Sequence, residues 1–569
     1  MSKSRNWIYA GLSAMVVGNA SAFDLETESV NGAINSNVTA GLGVRARNQS
    51  CALIGSQNQS CAGAVNTAQW ANGDNGNLNY NKGDLFTGYL SLTSEALFKL
   101  PGENLKFLAR ATALYDPMAG QTKTTPLTGS ARGQMVNRAT MLDLWGQKDF
   151  QIGEQSAHIR VGKQVINWGE SLFAGGGVNA TNALDVQTLL IPGTQLKQAL
   201  LPAPMISFAT NLPAGFSTEA YLQIGWNANR YPAVGGYWSL SDNVGRGSVP
   251  GLSNPNNYNQ AGLDPATALN YTTIQPGNKA QYGIRLGYTP PGESINFAAY
   301  YENYSDKNPV FGSIAGGTVM AAQYLTGREL FGLSVNLPLG LWSIGAEMSY
   351  RPRDAVAMSG CFLVGGPTDF NTNAAAGNCN SWKDNKKYQF IVNAQAQMSP
   401  TSHPELMSIL GGAHTAILTA ELSFINYPGI DVGKTYPTTV AGQAAYTVPA
   451  AGYSYWLTGG ADPITAAKGT SKSAGYVIDF NWTYDGSLMP GWGVTPGVTF
   501  SNAFSGYTPS YSANYMRGAK SANLYLVLTQ NPAVWQAGLN YTAFFGGSTP
   551  NSQPYADRNF FGAYVTRNF

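Results

Sequence analysis

Apolar and polar residues alternate with a period of two along many short stretches of this chain. Residues 281–288, QYGIRLGY, put Tyr282, Ile284, Leu286 and Tyr288 on one side and Gln281, Gly283, Arg285 and Gly287 on the other. Successive strand residues point to opposite faces, so the pattern predicts a sheet with one apolar and one polar surface. TPPGES follows, and its two prolines stop the strand. The next stretch, INFAAYYENY, places Ile295, Phe297, Ala299 and Tyr301 on the apolar side, with Asn296, Tyr300 and Glu302 opposite. The same grammar recurs in WSIGAEMSYR (342–351), YVIDFNWTY (476–484) and AGLNYTAFF (537–545). The chain stops on FFGAYVTRNF, where Phe561, Ala563, Val565 and Phe569 share one parity and Gly562, Tyr564, Thr566 and Asn568 the other. An alternating last strand ending on Phe predicts a bacterial outer-membrane barrel, with one face on lipid and one on the lumen. Arg567 falls on the lipid parity, where a long cation can snorkel to the interface.

Counting such segments predicts an all-β, antiparallel transmembrane barrel of about eighteen strands, with a range of 14–20. They run from 30–46, 84–100 and 104–115 to 520–530, 533–545 and 558–569. The connections alternate: 101–104, 213–216, 289–294, 337–341 and 485–492 are short turns, and 47–83, 116–138, 166–203, 228–279, 305–327, 352–384 and 427–472 are long loops. The stretch 399–412 is long for a turn and leaves the count open by two strands. The N-terminus has Lys3 and Arg5, an apolar run from Trp7 to Val17, and Ala20-Ser21-Ala22. This predicts a secretory signal peptide over 1–22 and a mature barrel over 23–569.

Composition changes the picture in two ways. Only 11% of residues are charged, against about a quarter in soluble domains, which fits a surface that faces lipid. The net charge of +2 argues against a nucleic-acid partner. The four cysteines form two local pairs, Cys51 with Cys61 and Cys361 with Cys379, in polar loops. In an exported chain such pairs predict loop-stapling disulfides, although other connectivities stay open. No histidine lies near them, and no metal site or cofactor is expected.

The lumen parity collects Arg110, Asp143, Asp149, Arg160, Glu219, Arg285, Glu302, Glu347, Glu421 and Asp479. Inside a barrel these are either a salt-bridged wall or a selectivity surface along a pathway. The mixed signs argue against strong selectivity for anions or cations. The long loop after residue 165 carries Trp168, Gly169, Glu170, Ser171, three consecutive glycines (Gly175, Gly176, Gly177) and Asp185. It also carries an apolar patch of Leu189, Leu190, Ile191, Leu196, Leu200 and Leu201, which needs burial. We expect this loop to fold inward and constrict the lumen; the alternative is a surface loop packed on itself. Catalysis is not expected: the three histidines, His158, His403 and His414, are scattered. The Asn/Asp-rich stretch 252–270 offers oxygen ligands for calcium but lacks the spacing of a calcium loop, so a solvated loop is the favoured expectation.

Several longer motifs resemble the proteobacterial outer-membrane barrel family catalogued as domain of unknown function 1302. They are DNGNLNYNKGDL (74–85), RVGKQVINWGES (160–171), GGGVNATNALDV (175–186), LIPGTQLKQALLP (190–202), YWSLSDNVGRG (237–247), AAYYENYSDKNP (298–309), SYRPRDA (349–355), FSGYTPS (504–510) and DRNFFGAYVTRNF (557–569). Ala503-Phe504 departs from the family's usual Asp-Val, so any role of that acid is missing here. The resemblance implies a barrel in the outer membrane of a Gram-negative bacterium, set in lipid and lipopolysaccharide. It also implies a periplasmic carrier-like protein and a resistance-nodulation-division exporter as partners, and cargo among steroids, lipids and other hydrophobic compounds. The expected function is a transport channel for hydrophobic or amphipathic compounds. The competing readings are a general diffusion porin for small hydrophilic solutes and a docking or adhesive barrel without its own pore.

Overall fold

The structure is a computed structural model that describes residues 23–27, 29–54, 75–240, 242, 245–247, 270–277, 279–314, 319–362, 379–430, 469–547 and 552–569. Eighteen antiparallel strands close into a barrel. They are β1 (Asn31–Arg45), β2 (Leu85–Leu100), β3 (Leu105–Tyr115), β4 (Asn137–Ile152), β5 (Gln155–Gln164), β6 (Ala203–Asn211), β7 (Phe216–Gln223), β8 (Gln281–Tyr288) and β9 (Asn296–Tyr304). Then follow β10 (Arg328–Leu339), β11 (Trp342–Phe362), β12 (Cys379–Met398), β13 (Thr415–Asn426), β14 (Lys472–Met489), β15 (Trp492–Ser505), β16 (Ala519–Gln530), β17 (Trp535–Gly546) and β18 (Phe560–Asn568). The ring closes where β1 pairs with β18, from Asn37 opposite Asn568 to Arg45 opposite Phe560. All eighteen predicted segments overlap these strands. Closure leaves no unpaired edge, the condition for backbone to cross a bilayer.

The alternation holds around the ring. Ile284, Leu286, Phe297, Leu333, Met348, Phe390, Leu422, Leu524, Leu539, Phe561 and Val565 are exposed outward, while Gly283, Tyr300, Glu302, Glu347, Gln389 and Glu421 are buried inward. Arg567 lies against the Trp535 and Phe569 rings at 5.4 and 5.0 Å, which accounts for a cation on the lipid parity. The start of β1, the end of β18 and the short turns lie at one end of the barrel, and the longer connections leave from the other. The 399–414 connection is at the short-turn end. It carries a helix, Pro404–Ile409, whose Met407 joins Met398, Ala413 and Ala416 in a buried cluster covered by Leu418, Phe480 and Trp482, so its length hides no further strands.

At the long-loop end two strands run well past their predicted bounds. Trp342–Phe362 has 21 residues and Cys379–Met398 has 20, against the ~9–11 that cross a bilayer. Their excess rises above the long-loop end. There Val310–Ile314 pairs with Val319–Gln323 and touches the start of β12, and Asn270–Ile274 adds in parallel. These three short strands were not predicted, because they lie inside loops and carry no lipid face. Cys51 is disulfide-bonded; Cys61 and the side chains of Cys361 and Cys379 lie outside the described residues, as do the predicted signal peptide (1–22) and residues 251–269.

Candidate functional site

Residues 165–202 lie inside the barrel, and carboxylates on the wall hold their backbone. Glu347 on β11 accepts the amides of Glu170 (2.7 Å), Ser171 (3.3 Å) and Val178 (3.1 Å). Glu421 on β13 accepts those of Leu172 (2.6 Å), Phe173 (2.8 Å) and Ala174. Gln389 accepts the Gly177 amide (3.1 Å) and donates to the Gly175 carbonyl (3.1 Å). Arg351 and Asn393 donate to the carbonyls of Gly177 (3.0 Å) and Glu170 (2.6 Å). Hydrogen bonds to an ionised group are about twice as strong as neutral ones, so these two carboxylates dominate the attachment. Gly177 meets two demands at once. Its φ is +64°, and a Cβ there would overlap the Glu347 carboxylate.

The ends of the loop are tied as firmly. Trp168 is buried between Tyr221 and Tyr300, and its Nε1 donates to Glu219 at 2.9 Å. The Glu170 carboxylate accepts from Asn336 (3.1 Å) and Ser334 (3.4 Å). Burial pushes its pKa up, and these two bonds oppose the shift. Ser171 donates to the Ala174 carbonyl at 2.8 Å. Asp185 caps a short helix through the Thr188 amide and pairs with Arg230 (2.6 Å) and Arg138 (3.3 Å). Ala183–Leu184 pairs with Leu200–Leu201 and closes the base of the loop. Across the lumen, Tyr89 on β2 donates to the Pro192 carbonyl, and Gln198 donates to Thr93 at 2.7 Å. The loop therefore spans the barrel from β9–β13 to β1–β2.

Ile191 and Leu201 of the apolar patch are buried. Leu189 and Leu196 remain 42% and 60% exposed, as do Leu172 and Phe173 at 52% and 45%. An extended apolar surface thus faces the water of the lumen.

The walls differ. On β2–β8 the predicted charges pair: Arg110 with Glu95 (2.5 Å) and Asp143 (2.9 Å), Lys106 with Asp149 (2.6 Å), and Arg285 with Glu219 (3.4 Å). Arg160 donates to Gln147 and lies 4.1 Å from the Trp145 ring. His158 sits beside them, opposite Asp149. A cavity of about 580 Å³ toward the short-turn end is lined by Asp149, His158 and Glu219. On β14–β18 the lumen face is nearly neutral, and its polar groups bond to one another. Asn540 donates to Asn523 and Thr542, Thr542 to Asn523, and Ser501 bonds to Ser521. Asp479 accepts from Thr499 (2.6 Å), Asn481 (2.9 Å) and Tyr525 (3.0 Å), and among the described residues it has no ion pair. Two cavities separate the loop from this side. One of about 320 Å³ lies between Phe173–Gly175 and β13–β16, and one of about 340 Å³ between Leu189–Thr194 and β16–β18. Glu302, also predicted for the lumen, is fully buried against Tyr221 (3.1 Å) and lines neither cavity. His403 bonds Ser402, and His414 accepts from Asp485, both toward the short-turn end.

Sequence reasoning missed a cap at the long-loop end. Arg45, fully buried, donates to the carbonyls of Asn77, Tyr80 and Asp557. Arg558 donates to the carbonyls of Tyr237 and Ser239, and Asn79 to that of Gly235 (2.8 Å). Three of the motifs that carry the family resemblance, 74–85, 237–247 and 557–569, meet here. The polar, loop-like composition of the first two was the available signal.

No curated protein matches the chain. Among solved structures it is similar to OpdL of Pseudomonas aeruginosa (10% identity, covering 95% of this chain and 98% of that one, TM-score 0.37). It is also similar to OpdK of Pseudomonas aeruginosa with vanillate (9%, 94% and 98%, TM-score 0.39) and OccAB1 of Acinetobacter baumannii (10%, 96% and 99%, TM-score 0.41). The model of the family described as "Protein of unknown function (DUF1302)" matches residues 3–569. The chain belongs to the DUF1302 family.

Proposed function

We propose that the protein is an outer-membrane channel for small hydrophobic or amphipathic compounds, with its short turns in the periplasm and its long loops outside the cell. One observation carries the reading. Two gaps in the lumen run between apolar loop side chains, exposed at Phe173 and Leu189, and a wall whose polar groups already bond to one another. A hydrophilic solute entering either gap gives up water and finds few free partners, whereas an apolar one loses nothing by the exchange. In the fuller form of this reading, cargo passes between the barrel and the periplasmic carrier-like protein and exporter that the resemblance implies.

The general diffusion porin is the second reading, favoured by the charged cavity lined by Asp149, His158 and Glu219. Planar-bilayer recording of the purified barrel separates the two. The amphipath channel is expected to conduct weakly and to be blocked by hydrophobic solutes. A large ohmic conductance indifferent to them promotes the porin.

A further inference from the structure

On the neutral wall and on β1–β2 next to it in the ring, aromatic rings lie over glycines of the neighbouring strand. Tyr525 on β16 stands opposite Gly497 on β15, Tyr564 on β18 opposite Gly538 on β17, and Tyr89 on β2 opposite Gly41 on β1. In each pair a Cβ on the glycine would overlap the ring. Three tyrosines thus tile six consecutive strands as a smooth surface. Tyr89 is buried under the loop, and Pro192-Gly193 of the loop touch Tyr564 and Gly562. Tyr525 and Tyr564 stay partly exposed and line the cleft of about 340 Å³ against Leu189, Ile191 and Pro192.

We propose that this cleft is a binding station for a planar, ring-bearing apolar molecule, stacked on Tyr525 and Tyr564 and covered by Leu189–Pro192. The proposal rests on the channel reading above and narrows its cargo. A flat ring on a flat ring gains offset-stacking contact that a flexible alkyl chain does not. The cleft volume is within the range of small-molecule sites, roughly 300–1,000 Å³. A saccharide also stacks on aromatic rings, but it needs free hydrogen-bond partners around its rim. Here the Asn523–Asn540–Thr542 cluster is closed on itself, and the Tyr525 hydroxyl is donated to Asp479.

The test uses the full folded barrel in detergent, with 1-naphthol fluorescence as the probe and 1-decanol, of equal carbon number, and maltose as competitors. 1-Naphthol is expected to bind saturably, with decanol a weak competitor and maltose none. Losing both rings in Tyr525→Leu/Tyr564→Leu is expected to weaken binding by about tenfold or more. Gly538→Ala is expected to weaken it while keeping the tyrosine, because the new methyl lifts the Tyr564 ring from the wall. Tyr564→Phe is expected to bind like the parent, and heat-modifiable migration confirms that each barrel is closed. Partition into micelles is common to all variants, so only the difference reports the cleft. Equal competition by decanol, displacement by maltose, or indifference to the tyrosine variants overturns the proposal. Flux of 1-naphthol into proteoliposomes separates it from the channel reading. Binding without flux leaves the station and removes the channel; flux without binding does the reverse.

Discussion

The two sides of the lumen solve the problem of polar groups in a confined space differently. On β2–β8 carboxylates meet guanidinium and ammonium groups, as Arg110 does with Glu95 and Asp143. On β14–β18 amides, hydroxyls and tyrosines bond one another, and the Asp479 carboxylate is held by three neutral donors. Between them β11 and β13 do something else, turning Glu347 and Glu421 to loop amides. Charge therefore appears in three forms: compensated on one wall, almost absent on the other, and used as an anchor where the loop attaches. The cleft opens toward the wall where charge is almost absent, so the loop's anchorage decides which chemistry a solute meets.

The hardest way to break that comparison is to release the anchor. In Glu347→Ala/Glu421→Ala six loop amides lose their acceptors. A buried unsatisfied donor costs about 1–3 kcal/mol, so the 168–178 segment is expected to leave the wall. Single-channel conductance should rise severalfold, and protease cleavage near Gly175 should appear. Unchanged conductance would mean that the Pro192 and Asp185 ties hold the loop alone. Gly177→Ala is expected to give a smaller rise, because it disturbs the Glu347 side of the anchor and leaves the Glu421 bonds in place.

That anchor was only half legible in the sequence. The period-two alternation exposed every barrel strand, because a lipid face and a water face impose opposite demands on neighbouring residues. The glycine run and the apolar patch marked the loop as one that needs burial. The acceptors were invisible. Glu347 and Glu421 lie some 170 to 250 positions from the amides they bind, and the lumen parity gave them the same standing as Arg110 or Asp479. The tyrosine-over-glycine pairs were hidden for a related reason: strand register sets them, and alternation determines the face but not the partner. The cap that Arg45 and Arg558 make with residues 77–80, 237–239 and 557–558 lies beyond the strand ends in loop sequence, so no periodicity announced it.

A finer contrast sets one charge on each wall against the other. Asp479→Asn removes a carboxylate that has no ion pair among the described residues, and it is expected to shift the reversal potential in a salt gradient toward anions. Arg110→Gln leaves Glu95 and Asp143 uncompensated and is expected to shift it the opposite way. Both shifts should shrink as salt rises, since the Debye length falls to ~3 Å at 1 M. Two shifts of the same sign would mean that the walls do not act as separate surfaces.

The smallest expected effect lies outside the strands, where the loop end is tied down beyond either wall. Lys307 is buried beside Asn227 (3.5 Å) and 5.9 Å from the Trp226 ring. Three residues on, Arg230 pairs with Asp185 of the inward loop. Burial lowers the Lys307 pKa from 10.5 to about 7, against the pull of Asp306. The unfolded segment therefore binds more protons than the folded one between those values. Its stability rises with pH across that window, and below about pH 7 the cost of burying the charge is fully present. Burial raises Asp306 from 3.8 to about 6, although Arg328 opposes it. Its folded form binds more protons between those values, so its contribution falls as pH rises through the lower window. The two windows do not overlap. Between pH 6.5 and 8.5 Lys307 acts alone of the pair, and amide exchange in residues 225–231 should slow as pH rises, after correction for intrinsic rates. Lys307→Met removes the titrating group and is expected to flatten that profile. A profile that persists in the methionine variant would assign the pH dependence to another group and leave the Asp185 tie independent of this contact.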